Sequence, residues 1–401
     1  MRVHIHGDAE GDRATFQAAL ECQCLALDVP LDLAIGADAP AVAVVFPASQ
    51  PVWTAADTLL HPALATATYP VLPVIAKPDD AKLLPQSLRH RNAFQTELWG
   101  RYWCDGLVDE VLSHAWSHRH ERRVFVSYKR KDSEPIANQI YDALTRRGYV
   151  TFLDDVSIGK GFDFQGELKW WLNDADLLLV LLSPNFEQSR WCMEEIAFAQ
   201  SRSVALVAIE WPDSVYASGL RFSDGTSPPV RSTLRDATNH DQRMQLTDID
   251  PDSDFSPSDP ASLWTSELTA DALHRVMALC ARQRSLAIQR RLDDLIPFAE
   301  EMLKPAGQFQ VVGESGDFRF KDSDGIDHFM RVLPYRPDAR SLRDTWLASG
   351  KEEVVGCFYS ECDPKDPRAE SLRWLADRIH EGAGPARRTR VWSYVGDREL
   401  P

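Results

Sequence analysis

Apolar and polar residues alternate along this chain in two rhythms. Short apolar runs read as strands: RVHIHG (2–7), LDLAI (31–35), AVAVVFPAS (41–49) and PVLPVIA (70–76). Between them, Ala14–Leu27 and TAADTLLHPALATA (54–67) space their apolar residues as helices do. A further helix is expected from Phe94 to Trp116, with Trp99, Trp103 and Leu107 on one face. Strands alternating with helices predict a parallel sheet covered on both sides. The alternation resumes at VFVSY (124–128). It continues with a helix over Glu134–Arg147, a strand at Val150–Leu153, a Gly-bearing loop at 155–161 and a helix over Phe164–Asn173. ADLLLVLLS (175–183), a helix over Trp191–Ala199 and SVALVAIEW (203–211) complete it. ADLLLVLLS is apolar on every face, as a central parallel strand should be.

From Pro212 to Pro260 the periodicity stops. The stretch holds PPV, the acidic run DIDPDSDFSPSDP and many Ser and Thr residues, the composition of a surface insertion. Helical spacing returns in LHRVMALCARQRSLAIQRRLDDLIPFAEEML. The last hundred or so residues read as α/β again. FQVVG and FRFKD suggest a hairpin, and a helix is expected near Ser341–Leu347. VVGCFYS (354–360), ESLRWLADRIHE (370–381) and RTRVWSYV (388–395) follow as strand, helix and strand, with no motif of known chemistry. The expected organisation is an α/β segment over 1–118, a second over 121–212, and an acidic irregular linker over 213–262. A helical segment over 263–305 and a C-terminal α/β segment over 306–401 complete it.

Composition narrows the setting. A chain of 401 residues supports two or three cores. No apolar run approaches the ~20 residues that span a bilayer, and the N-terminal MRVHIHGDAEGD lacks the pattern of a secretory signal. Seven cysteines, an odd number without a CxxC pair, point to a reducing, cytoplasmic setting. The net charge of −16 argues against nucleic acid and against anionic membrane surfaces as partners. Two patterns mimic metal sites. His114, His118 and His120 lack a completing cysteine or carboxylate. Asp248, Asp250, Asp252 and Asp254 begin like a calcium loop, but Pro251 intrudes and Ser253 stands where glycine is needed. No metal is expected.

In a doubly wound sheet the ligand site lies beyond the carboxyl ends of the strands. Four features gather there in the second segment: Ser127-Tyr128-Lys129-Arg130-Lys131-Asp132, Asp154-Asp155-Val156-Ser157-Ile158-Gly159-Lys160-Gly161, Ser183-Pro184-Asn185-Phe186, and Ser189-Arg190-Trp191-Cys192-Met193-Glu194-Glu195. They supply an aromatic face, cations for phosphates, flexible backbone and a carboxylate one helical turn from a tryptophan. VFVSYKRKD resembles the first strand and turn of Toll/interleukin-1 receptor (TIR) domains. FLDDVSIGKG resembles their BB loop, although Gly159-Lys160-Gly161 lacks the proline many relatives carry. LVLLSPNFEQSRWCMEEI resembles the stretch that holds their WxxxE motif. The three blocks agree in order and spacing over about 90 residues.

The resemblance implies a flavodoxin-like doubly wound parallel sheet, flanked here by further α/β segments. TIR domains divide into scaffolds and enzymes that cleave NAD at the nicotinamide–ribose bond. In the enzymes the WxxxE glutamate is catalytic, which carries over to Glu195 with Trp191 at the start of the motif. NAD is then a substrate, and no other cofactor is implied. Loss of nicotinamide leaves an oxocarbenium-like ribosyl cation that a fixed carboxylate stabilises. Water, the adenine ring or another nucleophile could accept it. Ser127, Tyr128, Lys129, Arg130, Trp191, Asp154, Ile158 and Gly161 are the expected binding residues, with Tyr128 stacking on a ring and Lys129 and Arg130 meeting the pyrophosphate. Tandem segments around such a module resemble bacterial anti-phage effectors, which assemble as homo-oligomers and answer to an infection-sensing or downstream partner. The alternative is a non-catalytic adaptor acting through TIR–TIR contacts.

The first segment resembles the second. AVAVVFPAS with Trp53 and Asp57 parallels LLLVLLSP with Trp191 and Glu195, and TYPVLPVIA parallels RSVALVAIEW. Two independent parallel sheets explain such strands equally well. A true copy would lack the glutamate and the SY-K-R turn, and would be an inert partner.

Overall fold

A computed structural model describes residues 1–7, 11–33, 40–47, 64, 67, 69–115, 121–153, 164–183, 186, 189–202, 204–210, 242–245, 267–304, 309–312, 317–321, 325–349, 354–361, 367–378 and 388–395. The first sheet is parallel, in the order β1 (Val3–His6), β2 (Val42–Val45), β3 (Val71–Ile75), β4 (Phe94–Gln95). Helix α1 (Asp12–Ala26) follows β1. Of the run LDLAI, residues 31–33 are described, and they contribute one parallel bridge, Asp32 to Arg2. Pro30 cannot donate to a ladder and Asp32 is a poor strand former, which limits pairing there. The Val3 amide donates to the Asp32 carbonyl (2.9 Å), and the Ala41 amide donates to the Arg2 carbonyl on the other side of β1 (2.9 Å).

The second sheet runs β6 (Tyr149–Leu153), β5 (Arg122–Ser127), β7 (Leu177–Leu182), β8 (Ala205–Glu210), β9 (Gln242–Gln245), all parallel. Its first strand has the second on one side and the third on the other, the doubly wound order. Counted with the Asp32 bridge, the first sheet has the same order. Strand β9 falls in the stretch expected to be irregular. Its sequence, QRMQ, is polar and short, which an edge strand with a single neighbour tolerates.

Side chains alternate across the second sheet, so each strand feeds two cores. Val124, Val126, Leu177, Leu179 and Val207 face helix α3 (Arg130–Arg146), together with Ala272, Val276, Met277 and Cys280. Those four belong to the first half of one long helix, α6 (Ala270–Leu303), capped by the Thr269 hydroxyl accepting from the Ala272 amide (3.2 Å). On the other face, Phe125, Leu178, Val180 and Leu206 meet α4 (Phe164–Asp174) and α5 (Arg190–Ser201) through Leu172, Cys192 and Ile196. The second half of α6 leaves this domain. Ile288, Leu292, Leu295 and Ala299 pack with Val3, Val44, Leu107 and Val111, and with Phe318, Met330 and Phe358 of a third sheet.

That sheet runs β10 (Phe309–Val312), β11 (Asp317–Lys321), β12 (Asp327–Val332), β13 (Val354–Glu361), β14 (Arg388–Val395), antiparallel through β12 and parallel thereafter. Helices α7 (Ala339–Ser349) and α8 (Pro367–Arg378) accompany it.

The helix expected over 94–116 is divided. Phe94–Gln95 is strand, Thr96–Tyr102 is a 3-10 stretch, and α2 is Trp103–Ala115. The break sits at Gly100, whose φ of 53° suits glycine, and where a Cβ would lie 2.4 Å from His274 Nδ1.

A buried polar hub joins the segments. Arg284 of α6 donates to Asp176 (2.7 Å), Asp109 of α2 (3.0 Å) and Ser113 (2.7 Å). The Tyr149 hydroxyl donates to Asp109 (2.7 Å), and Arg122 pairs with Glu110 (2.6 Å). Burial pushes the Arg284 pKa down, but Asp176 and Asp109 outweigh it and the net shift is upward. Among the described residues, no helix is long and apolar enough to cross a membrane, and no three His, Cys, Asp or Glu side chains could share a metal ion.

Candidate functional site

The site grows from the carboxyl end of β5. This strand runs between two parallel neighbours; Val126 pairs on both sides and Ser127 with Val180 of β7. Ser127 ends it, 2% exposed, and its hydroxyl donates to the Glu195 carboxylate. Glu195 lies in the second turn of α5 and is 8% exposed. One residue on, the Cys192 thiol donates to the Tyr128 carbonyl (3.6 Å). Two contacts therefore fasten the first two turns of α5 to the end of β5. The helix itself starts at Ser189, whose hydroxyl accepts from the Cys192 amide (3.4 Å).

The expected site residues separate into three groups. Ser127 and Glu195 are brought together, though not as expected: Ser127 meets the glutamate rather than an open ligand face. Lys129 and Arg130 form the turn into α3, with Lys129 as its N-terminal flanking residue and Arg130 as its first helical one. Asp154, Ile158 and Gly161 lie outside the described residues, as do Trp53 and Asp57 of the first segment.

One expectation is corrected. Tyr128 is 6% exposed and belongs to the core beneath α3, in one cluster with Ile136, Ala137 and Ile140. A strand-end aromatic is large and apolar enough to fill that space, so its face is not open for stacking. Trp191 and Glu195, one helical turn apart, differ in exposure. Trp191, in the first turn, is 50% exposed, while Glu195 turns in against β5. The neighbouring Glu194 points out and pairs with Arg190 (2.7 Å).

The arrangement places one carboxylate, oriented by a hydroxyl, in nearly dry surroundings. Such a group stabilises positive charge that develops beside it, because little water competes and its position is already set. Sequence reading missed the Ser127–Glu195 pairing. A small hydroxyl residue at the end of a strand that reads as central was the available signal.

Comparison with known proteins gives a domain match. A family model described as TIR domain matches residues 124–245. TMV resistance protein N of Nicotiana glutinosa is 31% identical over 87 residues, 21% of this chain and 8% of that protein. Disease resistance proteins RUN1 and RPV1 of Vitis rotundifolia are each 32% identical over 74 residues, 18% of this chain and 6% and 5% of theirs. The match thus spans less than a tenth of each relative's length. A solved structure of the activated Roq1 resistosome directly recognizing the pathogen effector XopQ (TIR domains) aligns at 24% identity and a TM-score of 0.22. It covers 23% of this chain and 58% of that one. Residues 124–245 of this chain are a TIR domain.

Proposed function

We propose that this TIR domain cleaves NAD at the nicotinamide–ribose bond, with Glu195 as the carboxylate that stabilises the ribosyl cation. The observation that carries the reading is the buried Glu195 carboxylate, held by Ser127 at the carboxyl end of β5. The C1′–N bond breaks, its electron pair leaves with nicotinamide, and the cation forms beside Glu195. Water as acceptor gives ADP-ribose and a proton; the adenine ring of the same molecule gives a cyclic product. Lys129 and Arg130, at the start of α3, supply charge for the pyrophosphate, aided by the positive end of that helix. The half-exposed Trp191 ring offers the stacking surface that Tyr128 does not.

Asp154, Ile158 and Gly161 are further NAD-binding residues in this reading, and activity requires a homo-oligomer. The role is in defence, set in motion by a partner that senses infection. Similarity to resistance proteins of plants supports that assignment.

The test is incubation of purified protein with NAD, with mass spectrometry of the products across a dilution series. Nicotinamide release that rises faster than protein concentration is expected. The second product separates hydrolase from cyclase. If no nicotinamide appears under any assembling condition, the adaptor role replaces the enzymatic one.

A further inference from the structure

A cavity of about 600 Å³ lies along α3, from Pro135 to Arg146, beside the start of α6. Its walls include Gln139 and Asp142 of α3, Glu97 of the 3-10 stretch, and Glu267 and His274 at the start of α6. None of Ser127, Lys129, Arg130, Trp191 and Glu195 lines it. It is therefore distinct from the TIR site.

The cavity is also lined by Arg147, which is 9% exposed. Its Nη1 donates to the Ala143 carbonyl (2.7 Å), and the guanidinium lies over the Trp99 ring (5.4 Å). Its Nε has no partner. A buried charge is ordinarily paired. Arg122, Arg284 and Arg331 of this chain each hold a carboxylate (2.6, 2.7 and 2.8 Å). Arg147 has no ion pair among the described residues. Burial lowers its pKa to about 10; Tyr149 opposes that shift and the adjacent Arg146 adds to it. The guanidinium stays charged at neutral pH and has no counter-ion among the described residues.

Three further features bear on what could supply one. The N-terminal turn of α6, a 34-residue helix, borders the cavity and carries partial positive charge. His274 is held below its usual pKa by burial and by Arg147, so it is neutral at pH 7 and offers hydrogen bonds rather than charge. Glu97, Asp142 and Glu267 are exposed and line the same space. They repel a polyanion such as a dinucleotide and attract an ammonium group.

We propose that this cavity binds a small zwitterion, with its carboxylate or phosphate on Arg147 and its cationic end among Glu97, Asp142 and Glu267. Arg147 satisfies an anion through the fork geometry of its guanidinium, in a site where burial strengthens the bond. The cavity touches the TIR domain, the first segment and α6 together, so an occupant would contact all three.

Calorimetric titration of the full chain tests this with two probes, 4-aminobutyrate and phosphoethanolamine. Acetate and ethylamine serve as the separate halves. Saturable heat is expected from at least one zwitterion and from neither half at equal concentration. Which zwitterion binds identifies the carboxylate or the phosphate as the anion. Arg147→Gln should weaken binding about tenfold or more, the loss of a charged hydrogen bond. Glu267→Gln, at an exposed position, should weaken it several-fold with the thermal midpoint unchanged, which covers the case where Arg147→Gln fails to fold. Silence from both zwitterions overturns the proposal. So does equal binding of acetate, or unchanged affinity in both variants.

Discussion

The Ser127 hydroxyl donates to Oε2 of Glu195 across 68 residues of sequence, tying the last residue of β5 to the second turn of α5. A hydrogen bond to a charged group contributes about 1.5–3 kcal/mol. Ser127→Ala should therefore slow nicotinamide release about tenfold or more, mainly in kcat, because the carboxylate loses its orientation rather than the substrate its grip. Ser127→Thr keeps the hydroxyl and should retain most of the rate. Steady-state kinetics of both variants decide it: equal turnover by Ser127→Ala and the parent removes Ser127 from the mechanism.

Glu195→Gln keeps the size of the side chain and an oxygen that accepts from Ser127, but loses the charge. Removing one electrostatic partner of a transition state costs about 10²–10³ in rate. NAD affinity, read by calorimetry, should change little. The matched control is Glu194→Gln. Glu194 is half exposed and engaged with Arg190, so its loss should leave turnover near parental. A sensitive Glu194 with a silent Glu195 would relocate the site.

Arg284 is fully buried between Asp109 and Asp176. Arg284→Met should cost about 3–5 kcal/mol, because it strands two buried carboxylates. Urea unfolding should show a lower midpoint. An unchanged midpoint would mean that the hub adds nothing to stability.

Glu110 pairs with Arg122 (2.6 Å) and lies 3.3 Å from His114. Burial pushes its pKa up, but Arg122, His114 and Arg284 outweigh it, and the carboxyl falls from 4.5 to about 2. A pKa depressed by folding stabilises the protein above the unfolded value and ceases to do so as pH falls through the folded one. The Glu110 contribution, on the order of 3 kcal/mol, should thus be complete above pH 4.5 and fade towards pH 2. Denaturation of the parent and of Glu110→Gln, compared across that range, should converge at the acid end. A constant gap would contradict the assignment.

Sequence periodicity located β5 to β8 and α3 to α5 because each is long, apolar and regular. It failed where tertiary context decides. The described part of the run 31–35 has apolar residues but shows only a bridge at Asp32, and QRMQ has no pattern yet pairs beside β8. Gly100 breaks a helix because His274, distant in sequence, occupies the space beside it. At the site, the motif located Glu195 on α5 beside the end of β5. It did not reveal that Tyr128 faces the core or that Ser127 faces the glutamate, since both depend on which way a strand end turns. Arg147 drew no notice, because an arginine at the end of a helix is ordinary until its burial is known.

Helix α6 also sets where a gene fragment can be cut. The family match ends at residue 245, yet one face of that domain's sheet is covered by Ala272, Val276, Met277 and Cys280. An expression product stopping at 245 would carry Val207, Leu179 and Leu181 into water and should be recovered as aggregate. Extending it to the middle of α6 repairs that face but exposes the severed end, whose remaining turns plug the other two sheets. The shortest soluble product containing this domain should therefore be close to the whole polypeptide.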